Sequence, residues 1–72
     1  MGVKVLKSYT SDVNVEVSMF LPREDGPNAG KVGVRVRDLD AAENVGLHFY
    51  PTMAVAQECY DRYVTHAEAL NG

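Results

Sequence analysis

The sequence predicts an α+β fold: a four-stranded antiparallel meander in the order β-β-β-β-α, with one C-terminal helix packed on one face. Three observations lead there. Pro51 to Leu70 carries the only helical period, the residues before it alternate apolar and polar with a period of two, and turn-forming residues separate the alternating runs. Sequential strands joined by turns pair most simply with their neighbours, leaving the helix to cover one side. Residues 1–72 read as a single domain.

Val3 to Tyr9 forms the first predicted strand, with Val3, Val5 and Tyr9 expected on the helix side and Lys4, Leu6 and Ser8 on the other. Lys7 interrupts the apolar face, a device that discourages pairing at a sheet edge. Thr10-Ser11-Asp12 supplies turn chemistry. Val13, Val15, Val17, Met19 and Leu21 then alternate with Asn14, Glu16, Ser18 and Phe20, a β-branched pattern that a helix would scatter around its cylinder.

Pro22 to Gly30 is a loop rich in proline, glycine and charge, long for a hairpin connection. Lys31 to Asp38 resumes the alternation, with Val32, Val34 and Val36 inward and Lys31, Gly33, Arg35 and Arg37 outward. After a second polar link, Val45, Leu47 and Phe49 are expected inward, with Gly46, His48 and Tyr50 outward. Pro51 ends the ladder and Thr52 supplies the helix N-cap. Met53, Ala56, Tyr60, Val64 and Ala67, flanked by Cys59, Tyr63 and Leu70, share an arc of roughly 140° suited to lying on a sheet. Asn71-Gly72 fits a C-terminal stop.

A chain of 72 residues sits near the lower limit for independent folding. Its single cysteine excludes an intrachain disulfide, so regular packing and self-association are the remaining means of stabilisation, and a homodimer is expected. Net charge is −3, against the basic balance usual in nucleic-acid binders. The first residues are too short and too charged for a signal peptide, and no run is apolar enough to span a bilayer. A cytoplasmic protein without a membrane role is the expectation.

Motifs with chemistry fall away on inspection. Gly26-Pro27-Asn28-Ala29-Gly30-Lys31-Val32 has the flavour of a phosphate loop. It is one residue short between its glycines, carries Val32 where a hydroxyl must reach magnesium, and leads into a strand. Cys59 and His66 stand two helical turns apart, roughly 10 Å of rise, too far for thiol activation. The carboxylates Glu24, Asp25, Asp38, Asp40 and Glu43 lie in turns. No catalytic residue, cofactor or metal is expected, and the chain does not read as an enzyme.

Function is therefore sought on the uncovered sheet face. Phe20, Arg35, Arg37, His48 and Tyr50 are the predicted partner-binding residues, because aromatics flanked by arginine characterise interface centres. The leading expectation is a small non-enzymatic protein-protein interaction module (adaptor, accessory subunit or inhibitor), homodimeric, with a protein partner. The alternative is a nucleic-acid-associated module whose basic face uses Lys31, Arg35 and Arg37. Glu16 is expected to lie across the ladder from the strand 3 bases and neutralise them in part.

Overall fold

A computed structural model describes residues 3–69. Four strands, β1 (Lys4–Thr10), β2 (Val15–Leu21), β3 (Val32–Asp38) and β4 (Glu43–Tyr50), form one antiparallel sheet in sequential order, followed by helix α1 (Met53–Ala69). The meander expected from the alternation is present. Leu70 and the Asn71-Gly72 stop lie outside the described residues.

The helix lies chiefly over β2 and β3 and less over β4. Val17, Met19, Val32 and Val34 meet Ala56, Tyr60 and Ala67 to form the core, with Leu6, Tyr9, Leu21, Val36, Tyr50, Tyr63 and Val64 packed around it. Alanines at the contact let the helix sit close to the valines, and Tyr60 brings the bulk. Thr52 caps the helix as its sequence position implies: its Oγ1 accepts from the Val55 N–H at 3.3 Å. Met53, expected in the buried stripe, is 46% exposed in the first turn, ahead of where the sheet is reached.

Both hairpin turns at one end are built by short polar side chains. Ser11 Oγ accepts from the Val15 N–H at 3.1 Å, and the Ser11 N–H donates to the Val15 carbonyl at 2.9 Å. Val13, expected in β2, belongs to this turn, because Asn14 turns the chain with a φ of 60°. Asparagine tolerates that left-handed conformation through its short polar side chain. Across the end of the sheet, Asp38 Oδ1 accepts from the Asp40 and Ala41 N–H groups, and Asn14 ties the two turns together. Its carbonyl accepts from the Leu39 N–H at 2.9 Å and its amide donates to Asp40 Oδ1 at 3.0 Å.

Strand β1 departs from simple alternation. The pairing steps from Val5 opposite Phe20 to Lys7 opposite Met19, so Leu6 is an extra residue and the strand changes parity. Val5 therefore joins the uncovered face, while Leu6 packs against the core. Lys7 does lie on the helix side: its ammonium stands 6.0 Å over the Tyr60 ring and donates to Gln57 Oε1 at 2.8 Å.

Ala42 holds a φ of 55° in the β3–β4 turn, which costs a residue with a Cβ roughly 1–2 kcal/mol. Ala42→Gly is expected to stabilise the fold by about 1 kcal/mol, raising the melting temperature by about 4–8 °C. A thermal melt monitored by circular dichroism checks this; an unchanged or lower midpoint contradicts the turn geometry.

Candidate functional site

The register lays out the uncovered face as three rows across the sheet. Residues directly opposite in an antiparallel ladder point to the same side. The first row runs Val5, Phe20, Gly33, Phe49; the second Ser8, Ser18, Arg35, Leu47; the third Thr10, Glu16, Arg37, Asn44. One row is apolar, the next holds an arginine between neutral neighbours, and the last is ionic. Glu16 and Arg37 stand 3.8 Å apart there, the neutralising cross-strand pair the sequence suggested.

Phe20 is only 5% exposed despite pointing away from the helix. Its burial depends on Gly33. A Cβ built at that position would lie 2.4 Å from Cζ of Phe20, so the ring occupies the space any other residue would fill. An aromatic laid over a cross-strand glycine shields the bare backbone and pins the register. Phe49 meets the same ring edge-on, with centroids 5.9 Å apart and planes at 83°, and the Arg35 guanidinium stands over it at 5.7 Å.

The Pro22–Gly30 loop forms one wall beside this platform. Successive turns stiffen it, through Gly26 to Arg23, Ala29 to Gly26 and Lys31 to Asn28 backbone bonds, and Arg23 grips Asp25 with two nitrogens. Between the loop and the sheet lies a groove of about 300 Å³ lined chiefly by Val3, Phe20, Pro27, Arg35, Leu47 and Phe49.

Two predicted site residues are elsewhere. His48 and Tyr50 stand opposite Val34 and Val32, on the helix side, whereas Leu47 and Phe49 hold the uncovered face. This corrects the expected phase of β4. The strand carries bulky residues at both parities, so its alternation does not choose a face. The β3–β4 pairing steps from Arg37 opposite Asn44 to Val36 opposite Gly46, so Val45 is an extra residue that reverses the phase set at the turn and aligns Tyr50 with Val32, where its hydroxyl interacts with Cys59 of the helix. Phe20, Arg35 and Arg37 do share the predicted face, but Arg37 is engaged with Glu16. Lys31 precedes β3 and lines a separate cavity of about 650 Å³ with Lys4, Leu21 and Arg23, away from the arginine row.

Val5, Leu47 and Phe49 are the residues of this face that the sequence reading placed on the helix side, and Gly33, which it did place here, was not among its partner-binding residues. A signal for Phe49 was Gly33 opposite it, a glycine in mid-strand that marks close approach of another group. Among the described residues no three His, Cys, Asp or Glu side chains are placed to hold a metal, and no helix is long and apolar enough to cross a membrane. Fold and face together define an α+β sheet-and-helix protein with an apolar, arginine-bearing open side. No protein-family model, no curated protein and no solved structure matches the chain.

Gly33→Ala is expected to lift Phe20 from the sheet and cost about 1–3 kcal/mol, the usual penalty of overpacking. Urea unfolding measures it, and a variant as stable as the parent contradicts the ring position. Tyr50 offers a second check. The Cys59 hydrogen bond, then burial, push its pKa up to about 12. The folded state thus holds the phenol proton more tightly than the unfolded chain, whose tyrosines titrate near 10. That contribution is intact below pH 10 and is lost as the pH climbs toward 12. In a phenolate absorbance titration, Cys59→Ala is expected to bring Tyr50 back toward 10; an unmoved late transition counts against the contact.

Proposed function

We propose that this chain is a small non-enzymatic protein-interaction module whose uncovered sheet face receives a partner, and that it works as a homodimer. The observation that carries the reading is the apolar row Val5–Phe20–Gly33–Phe49 together with its exposed neighbours. On the side the helix leaves open, Val5 is 51% and Leu47 44% exposed. A solvated antiparallel face is polar. An apolar groove with the Glu16–Arg37 pair in the ionic row beyond it has instead the composition of an interface, apolar at its centre and charged at its margin.

The two sheet edges differ in a way that favours self-pairing at one of them. Edge strand β1 carries Lys4, Lys7 and a bulge, all of which oppose the addition of another strand. Edge strand β4 has its irregularity near Val45, leaving Gly46 to Tyr50 regular and without a lysine or proline. Pairing two β4 edges would join two open faces into one continuous surface.

The nucleic-acid alternative loses support from the same geometry. Its aromatics His48 and Tyr50 lie on the helix side, Arg37 is paired, and Lys31 is set apart. Light scattering of the purified chain is expected to give twice the monomer mass. Affinity capture from a native lysate is expected to yield proteins whose retention survives nuclease and is lost in the folded Val5→Asn/Leu47→Gln double variant. A monomer at all concentrations contradicts the homodimer, and capture that nuclease abolishes contradicts the protein-binding reading.

A further inference from the structure

The groove beside Phe20 has a charge character unlike the rest of the molecule. Acids outnumber bases ten to seven in the chain, yet none of the groove-lining residues is an aspartate or glutamate. Of the four arginines, Arg23 is paired with Asp25, Arg37 with Glu16 and Arg62 with Glu58. Arg35 alone, among the described residues, has no carboxylate partner. Its Nε–H is screened from solvent and meets no acceptor there.

This is an unusual state for an arginine. A buried donor without an acceptor carries a desolvation cost, and such groups in folded proteins call for an explanation. Arg35 is also held in place: its guanidinium rests over the Phe20 ring, and its row neighbours Ser18 and Leu47 bring no charge. The nearby acid, Glu16, lies one row away and is taken by Arg37. A fixed, uncompensated guanidinium at the rim of an apolar groove is preorganised for a carboxylate, which guanidinium binds through paired N–H donors.

We propose that the groove recognises a protein segment carrying a carboxylate side chain next to an apolar one, with Arg35 reading the charge. The apolar side chain lies in the groove against Phe20, Phe49, Leu47 and Pro27, and the carboxylate turns toward the arginine row. About 300 Å³ is at the small end of ligand sites, enough for one large side chain. The row continues past the groove to Val5 on the far edge strand, which gives an extended segment further apolar contact and favours a peptide over a free small acid. The inference rests on the interaction reading above and specifies the partner's chemistry.

The test is an NMR titration of the ¹⁵N-labelled full chain with two blocked peptides, acetyl-Leu-Phe-Glu-Gly amide and its Gln counterpart, and with 3-phenylpropionate. Saturable shifts are expected at the Arg35 Nε–H and at the amides of Gly33, Leu47 and Phe49. The Glu peptide is expected to bind roughly ten- to a hundredfold more tightly than the Gln peptide, as a hydrogen bond to a charged group implies. Arg35→Gln is expected to erase that preference, whereas Arg62→Gln, on the exposed side of the helix, leaves it in place. Equal binding of the two peptides overturns Arg35 as the reader of charge, and tighter saturation by 3-phenylpropionate than by the Glu peptide overturns the protein segment as occupant. No shift with any probe overturns the proposal alone if Leu47-dependent capture persists, and removes the interaction reading with it if that capture is also absent.

Discussion

Phe20 lies flat across Gly33, and the architecture of the uncovered face follows from that contact. An aromatic ring on the outer side of a four-stranded sheet would ordinarily stand in water. Here the cross-strand neighbour has no side chain, so the ring folds down onto backbone and is sealed by Phe49 at its edge and Arg35 above. Burying a phenylalanine contributes about 1.5–3 kcal/mol, and an edge-to-face aromatic pair adds roughly 0.5–1.5. These are large amounts in a domain whose whole stability is of order several kcal/mol. The sheet thus has a second, minor core, and the arginine that completes it is set in a fixed place.

The two faces divide the work. On the helix side, small alanines and β-branched valines pack closely around Met19 and Tyr60, with Lys7 bridging the rim to Gln57. That side is closed and supplies most of the burial. On the other side the apolar row stays partly exposed, and charge increases with distance from it, from Arg35 to the Glu16–Arg37 pair. The stiff Pro22–Gly30 loop adds a wall at the apolar end only, so the groove is apolar where the rings lie and polar where the arginine stands. On the proposed reading, stability and recognition draw on different residues, except at Phe20.

Much of the scaffold could be read before the structure. Regular valine spacing in β2 and β3, the Thr52 cap and the Glu16–Arg37 neighbourhood follow from local rules, and the meander follows from turn-rich links between neighbours. The face assignments of the two edge strands did not. In β1 the extra residue at Leu6 reverses parity, and a bulge leaves no mark in a pattern of mixed valine, leucine and lysine. In β4 both parities are bulky, and an extra residue at Val45 reverses the phase set at the turn, so Tyr50 rather than Phe49 comes to the helix side beside Cys59. Those are tertiary facts. The candidate site inherits the same split: Phe20, Arg35 and Arg37 came from central strands with clean alternation, whereas His48 and Tyr50 came from an ambiguous edge.

The most direct measurement is the proton NMR environment of Gly33. The account places one of its Hα atoms beneath the Phe20 ring, so ring current moves that resonance far upfield of ordinary glycine, with nuclear Overhauser contacts to aromatic protons of both Phe20 and Phe49. An unshifted Gly33 Hα, or Overhauser contacts from Phe49 to Ala56 or Tyr60 of the helix, would place these rings on the other side and contradict it.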